Sequence, residues 1–240
     1  SIPRGESSVS FAGVTYFAAE DSVRIQAVDQ LTSLHSDTSN YFSVRPGSLA
    51  TFAVRDTSGG EIPSQRVGIA FPIRIYAQDA YGNTDTSFRG TVTVTSTGSL
   101  TTGGGATGVF TNGILASRNV YIANSGTFTI TATRNGGAGE TGVSNEFLVG
   151  QVYYSIATGN WESNATWSTS PTGSTAASGF PQNSDIAYIR NNNIVTATAA
   201  SNSCQSIYFT GTSPRLIING SNQLTVAHTI QVFSSGTSNS

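Results

Sequence analysis

Apolar and polar residues alternate along this chain in short runs, and the period is two almost throughout. In residues 21–27, Val23, Ile25 and Ala27 alternate with Ser22, Arg24 and Gln26, which predicts a half-buried strand. Residues 40–44 repeat the pattern with Phe42 and Val44, and the polar stretch 29–39 between the two reads as a hairpin loop. Further strands are predicted at 50–55, 67–79, 90–96, 108–110, 114–121, 126–134 and 144–149. Pro72 falls inside one of them and should mark an edge, a bulge or a switch between sheets. Gly103-Gly104-Gly105 reads as a flexible tip. Beyond Asp185 the runs shorten to 185–189, 194–198, 206–209, 216–218, 224–227 and 230–233. Each carries two apolar residues at spacing two, such as Ile207/Phe209 and Leu216/Ile218. No stretch shows the spacing of an amphipathic helix.

The pattern also repeats on a longer scale. Sliding residues 15–44 forward by 105 places, without a gap, lays them on 120–149. Tyr16, Ala18, Ile25, Ala27, Ser39, Asn40, Phe42 and Val44 then meet Tyr121, Ala123, Ile130, Ala132, Ser144, Asn145, Phe147 and Val149. These eight identities keep step with the apolar alternation, so chance is a poor explanation. A repeat of this length implies an array of modules. Arg45-Pro46-Gly47 marks a boundary, because proline fixes the backbone and glycine opens a turn. Three parts are expected: 1–45 as the C-terminal part of one module, 46–150 as a complete module, and 151–240 as a different, truncated domain. On this reading the chain is a piece of a longer tandem protein.

Seven short strands with regular turn signals over 46–150 are the pattern of an immunoglobulin-like sandwich. Here the chain resembles the bacterial immunoglobulin-like repeats of invasin- and intimin-type adhesins, and modules of large Bacteroidetes surface proteins. The residues that carry the resemblance are Ile73-Arg-Ile-Tyr-Ala-Gln-Asp-Ala-Tyr-Gly-Asn83, Gly90-Thr-Val-Thr-Val94 and Gly126-Thr-Phe-Thr-Ile-Thr-Ala132. After 150 the closely spaced short strands suit the rungs of a parallel β-helix. Trp161, Trp167, Pro181 and Asp185 are similar to the lead-in that precedes β-helix rungs in Bacteroidetes surface proteins. The expected fold class is therefore all-β: tandem immunoglobulin-like β-sandwiches followed by the start of a parallel β-helix.

Composition narrows the function. Charged residues are 10 % of the chain, well under the roughly 25 % usual for a soluble domain. All 11 basic residues are Arg, and the net charge is −2 with no basic stripe, which argues against nucleic acid as a partner. No run of about 18 apolar residues is present to span a membrane as a helix. Cys204 stands alone and cannot form an internal disulfide; as a small apolar residue it belongs in a core. The Ser/Thr/Asn-rich, Lys-free composition favours an extracellular or cell-surface location.

Candidate chemistry is sparse. Asp79, Asn83 and Asp85 cluster at a strand-to-turn junction, where their oxygens offer ligands for Ca²⁺. The preferred reading is an Asx-type turn in which Asp79 bonds backbone N–H groups. No other cofactor is expected. Trp161 and Trp167 offer faces for a sugar ring, or alternatively plug the first rung of a β-helix. The plug is the preferred reading. Glu162 and Asp185 are the only carboxylates after residue 150, and nothing in the sequence brings them together as a glycosidase pair. His35 and His228 lie in different modules and suit no Ser-His-Asp arrangement. Asn164-Ala165-Thr166 and Asn219-Gly220-Ser221 are formal N-glycosylation sequons. Asp21-Ser22-Val23 resembles the short O-glycosylation motif of exported Bacteroidetes proteins, with Ser22 as acceptor.

The expectation is a non-catalytic module array of a secreted or surface-anchored bacterial protein, serving as an adhesin stalk or fibre component. The alternative is an accessory carbohydrate-binding region of an exported polysaccharide-active enzyme. Partners on either reading are neighbouring modules of the same longer chain, glycans or other surface proteins.

Overall fold

The computed structural model describes residues 8–28 and 36–233. Among the described residues the ordered elements are strands, apart from one 3-10 turn at Asn164–Thr166. The chain is all-β, as its period of two predicts.

Four strands form the N-terminal segment: β1 Glu20–Val23, β2 Gln26–Val28, β3 Ser36–Thr38 and β4 Phe42–Val44. β1 pairs antiparallel with β4, and β2 with β3.

Eleven strands follow: β5 Thr51–Arg55, β6 Gln65–Arg66, β7 Phe71–Gln78, β8 Val92–Ser96, β9 Leu100–Thr102, β10 Gly105–Ala106, β11 Ile114–Ile122, β12 Gly126–Phe128, β13 Ile130–Arg134, β14 Thr141–Val143 and β15 Phe147–Gly150. They make sheets in the orders β10-β8-β13-β14 and β5-β7-β11-β9, with β12-β15-β6 beside them. Alternate residues point inward from both larger sheets, and this sandwich-like arrangement encloses one core. Val54, Ile73, Ile75 and Ala77 from one sheet meet Val92, Val94, Ile130 and Ala132 from the other, all buried. Phe52, Phe88 and Phe110 meet edge to face with centroids 5.1–5.9 Å apart.

Several runs differ from the alternation's forecast. The run expected at 21–27 breaks at Arg24 and Ile25, between β1 and β2, and that expected at 144–149 becomes β15 only from Phe147. The run expected at 67–79 becomes β7 only from Phe71. Pro72 lies beyond Arg74, the last β7 residue paired with β5, so one flank of the strand is open at the proline. The run expected at 126–134 breaks at Thr129, where the chain leaves β15's sheet for that of β8. Residues 108–110 form no strand, and Phe110 is instead buried in the core. The tip at 103–105 is ordered between β9 and β10. Gly103 has φ +85, and a Cβ there would lie 2.2 Å from the Asn119 carbonyl, so a bare backbone is required.

The C-terminal segment is wound differently. Its strands are β16 Val152–Ser155, β17 Gly159–Asn160, β18 Trp167–Ser168, β19 Ile186–Arg190, β20 Ile194–Ala197, β21 Asn202–Thr210, β22 Arg215–Ile218 and β23 Leu224–Val232. β16, β19, β21 and β23 form one parallel ladder, and β17, β20 and β22 form a second. The chain alternates between the two, giving each turn of the coil one strand in either ladder. Ala187, Ile189, Val195, Ala197, Cys204 and Ile207 fill the interior. On the first ladder, Tyr154, Tyr188, Tyr208 and Phe233 stack with successive centroids 5.1, 4.9 and 5.8 Å apart. That spacing follows from the distance between hydrogen-bonded strands. Two details were not in the sequence pattern. The tryptophan stretch is part of the first turn, through β16 and β17, and the runs at 224–227 and 230–233 merge into the single strand β23. A register shift against β21 between Cys204 and Ser206 accommodates the merger.

The offset of 105 reappears in the hydrogen bonding. β2–β3 pairs Gln26 with Thr38 and Val28 with Ser36; β13–β14 pairs Thr131 with Val143 and Thr133 with Thr141. β1–β4 pairs Val23 with Phe42, as β12–β15 pairs Phe128 with Phe147, but a bulge then sets Glu20 opposite Val44 where the repeat has Gly126, the counterpart of Asp21, opposite Val149. The shared serine does the same work in both places. Ser39 N–H donates to the Ile25 carbonyl at 2.8 Å, and Ser144 N–H to that of Ile130 at 2.8 Å. The Ile25 N–H donates to Ser39 Oγ at 2.9 Å, and the Ile130 N–H to Ser144 Oγ at 3.0 Å. Each hydroxyl then donates to the next residue's carbonyl, on Asn40 or Asn145.

Candidate functional site

The best-defined polar sites lie where one segment meets the next. β7 ends at Gln78, and the following Asp79 is only 2 % exposed. A carboxylate so placed must be hydrogen-bonded. Its Oδ1 accepts the N–H groups of Tyr81 at 2.8 Å and Asn83 at 3.0 Å. Its Oδ2 accepts the Gly47 N–H at 2.8 Å and the Asn83 side-chain amide at 2.9 Å. Burial pushes the Asp79 pKa up, but these four donors outweigh it and hold the carboxyl at about 2, below its ordinary 3.8. Gly82, with φ +85, lets the chain turn inside this ring of bonds.

Asn83 faces both ways. While its amide bonds Asp79, its Nδ2 also donates to the Phe17 carbonyl at 2.7 Å, and its Oδ1 accepts the Ala19 N–H at 2.9 Å. The Phe17 and Tyr81 rings sit 4.5 Å apart over the same contact. The turn thus holds the boundary glycine, Gly47, through Asp79 and the preceding segment's backbone through Asn83.

Asp85, the third residue of the expected calcium set, turns away: its Oδ1 accepts the N–H and hydroxyl of Ser87 at 3.0 and 2.6 Å. Both Asp79 oxygens already accept two N–H groups each, and Asp85 does not join them. Among the described residues no group of three or more His, Cys, Asp or Glu side chains converges.

The second junction is tighter. β15 ends at Gly150, β16 begins at Val152, and only Gln151 lies between. Asp185, 4 % exposed, accepts the Gln151 N–H on Oδ1 at 2.8 Å and the Gln182 N–H on Oδ2 at 2.9 Å. Here burial dominates and raises the pKa despite those bonds and the Arg66 charge. Arg66, on β6, reaches across and donates to the Gln205 side chain at 2.9 Å. A Cβ on Gly150 would lie 1.9 Å from the Ser184 carbonyl, so the two backbones touch there. Arg66, Gly150 and Gln205 carry no periodic signal in the sequence, and only their spatial meeting reveals them.

Trp161 and Trp167 are both fully buried. Their rings pack edge to face at 5.2 Å, with Tyr153 against Trp167 at 6.4 Å. Trp161 Nε1 donates to the Pro181 carbonyl at 3.0 Å, and Trp167 Nε1 to that of Trp161 at 2.8 Å. Neither ring offers a face to a sugar, which corrects the platform reading: the first turn of the coil closes over both indoles.

Glu162, next to Trp161, caps the turn after β20. It accepts the N–H groups of Thr198 and Ala199, the Thr198 hydroxyl and the Asn202 amide, all at 2.6–2.9 Å. Burial pushes its pKa up, but these donors hold it at about 2. Glu162 and Asp185 therefore serve separate sets of backbone donors. Cys204 is buried, and burial pushes its thiol up to about 12. Ser22 is exposed on β1 with φ 65. His228 is exposed and hydrogen-bonds Thr229; His35 lies outside the described residues.

No protein-family model matches the chain, and no curated protein does. Two solved structures of a β-glucuronidase from Parabacteroides merdae, one with glycerol in its active site, are similar at 18 % identity and a TM-score of 0.30. Each likeness covers 50 % of this chain and only 15 or 16 % of the enzyme. At that TM-score it transfers neither fold nor activity.

Proposed function

We propose that this chain is a non-catalytic spacer: immunoglobulin-like sandwich modules leading into a β-helix-like domain, in a secreted or surface-anchored bacterial protein. Its work would be geometric, holding successive modules at set angles in an adhesin stalk or an extracellular fibre. The observation that carries this reading is that both junctions are bonded rather than free, through Asp79 and Asn83 at one and Asp185, Arg66 and Gly150 at the other. Buried carboxylates committed to backbone donors are a costly way to build a linker unless its angle matters. Sparse charge and abundant Ser, Thr and Asn support the extracellular setting.

Backbone ¹⁵N relaxation on the full chain tests the proposal. Residues on either side of each junction should share one rotational correlation time. Independent tumbling of the central and C-terminal segments would sink the spacer reading. Retention on a glycan array would favour instead the accessory carbohydrate-binding role, through a surface other than the two tryptophans.

A further inference from the structure

Three asparagines in the chain precede a glycine: Asn112, Asn135 and Asn219. Such a pair can modify itself, because a glycine without Cβ leaves its backbone nitrogen open to the preceding side-chain amide. The amide carbon and that nitrogen must meet, so hydrogen bonds on either group oppose the reaction. The fold pins two of the three. Arg89 Nη2 donates to Asn112 Oδ1 at 2.8 Å, and the Gly113 N–H donates to the Phe88 carbonyl at 3.2 Å. Gly113 is also buried against the Asp85 carbonyl. Asn135 is held through both atoms of its amide. Its Oδ1 accepts the Thr93 hydroxyl at 2.7 Å, and its Nδ2 donates to the Thr91 hydroxyl at 3.0 Å. Asn219 follows the last residue of β22, and both it and Gly220 are exposed. Among the described residues neither the Asn219 side chain nor the Gly220 N–H has a hydrogen-bond partner. A turn sets the backbone there: the Asn222 N–H donates to the Asn219 carbonyl at 3.1 Å, and Gly220 has φ +58 with nothing within 4 Å of the place a Cβ would take.

We infer that Asn219-Gly220 is a site of spontaneous self-modification, at which asparagine becomes a mixture of aspartate and isoaspartate. The Gly220 nitrogen attacks Asn219 Cγ. A new N–C bond closes a five-membered imide, the Cγ–Nδ2 bond breaks, and ammonia leaves carrying the Gly220 amide proton. Water then opens the imide. Attack at Cγ gives aspartate, and attack at the main-chain carbonyl gives isoaspartate. One water is consumed and one ammonia released, with no change of oxidation state and no other reactant. Either product places a negative charge in a turn, residues 219–222, that has no charged side chain of its own. Isoaspartate also adds a methylene to the main chain between β22 and β23. The inference goes beyond the spacer reading and does not depend on it.

The absence of Lys makes the test direct. Trypsin can cut this chain only after Arg, and it leaves Asn112, Asn135 and Asn219 in three separate peptides, residues 90–118, 135–190 and 216–240. The full chain is aged at mildly alkaline pH, and mass spectrometry of those peptides follows the conversion of amide to acid. In the folded protein Asn219 should convert about tenfold faster than Asn112 or Asn135, the protection expected of hydrogen bonds that must first break. In guanidinium chloride the three rates should draw together. Thr91→Val combined with Thr93→Val should speed Asn135 and leave Asn219 unchanged. Asn219→Gln should abolish the fast conversion in peptide 216–240, which assigns it to Asn219 and not to Asn222 or Asn239. Equal rates at the three sites in the folded chain would overturn the inference. So would a difference that persists undiminished in guanidinium chloride, because its cause would then be local sequence and not the fold.

Discussion

Trp161 and Trp167 show how much a single residue's role depends on where its ring ends up. Each indole is enclosed, and each N–H is spent on a carbonyl inside the same turn of the coil. Trp161→Ala or Trp167→Ala should cost about 3–5 kcal/mol, the usual range for a large buried aromatic. Trp161→Phe keeps most of the apolar surface but leaves the Pro181 carbonyl unpaired, and should cost less than the alanine change, about 1–3 kcal/mol. Chemical denaturation followed by far-UV circular dichroism measures both. An alanine variant as stable as the parent would mean that the indoles are not the core of this segment. Ile25 and Ile130 teach the same lesson from the other side. They hold equivalent places with equivalent backbone bonds, yet one is bare and the other sealed.

At the scale of elements, the turn after β7 is the most informative, because its stability depends on charge. The folded Asp79 carboxyl has its pKa lowered to about 2 from 3.8, and Glu162 is lowered to about 2 from 4.5. A depressed carboxyl pKa contributes stability that is present above the unfolded value and is lost as pH falls toward the folded one. The melting temperature should therefore hold near neutrality and decline between about pH 5 and 2. Asp79→Ala should remove part of that decline and lower stability by about 2–3 kcal/mol, since it strands the N–H groups of Gly47, Tyr81 and Asn83. Thermal melts from pH 7 to pH 2 on the parent and on Asp79→Ala check both points. An identical acid dependence in the two would show that the turn does not feel the Asp79 charge. Millimolar Ca²⁺ should leave the parent's melting temperature unchanged.

At the scale of the whole molecule, the junctions decide whether the segments move together. Gly150 is the most sensitive point, because a methyl group there meets the Ser184 carbonyl. Gly150→Ala should push β15 away from the start of the coil while leaving both cores intact. If the parent tumbles with one rotational correlation time in ¹⁵N relaxation, as the spacer proposal expects, this variant should show two, with secondary structure unchanged by circular dichroism. A single correlation time retained in Gly150→Ala would show that the contact is not needed to hold the angle.

The sequence by itself determined the all-β class, most strand positions and the repeat. These follow from local rules: alternation sets which side chain faces inward, and an ungapped offset preserves that alternation. Much of the Asp79 turn was legible too, because an Asx turn is made within five residues. What only the tertiary structure decided depends on groups distant in the chain. Asn83 finds Phe17 and Ala19, Arg66 finds Gln205, and Asp185 finds Gln151. Thr129 marks a change of sheet that its neighbours in sequence do not announce, since a break in one run reads the same whether the strand ends or crosses over. Burial of the two tryptophans was the preferred reading of the sequence, but the carbonyls that accept their N–H groups were not legible there, because Pro181 meets Trp161 only in the folded turn. The exposure of Ile25 beside the burial of Ile130 states the limit plainly: alternation determines which face is apolar, and only the packed neighbours determine whether that face is covered.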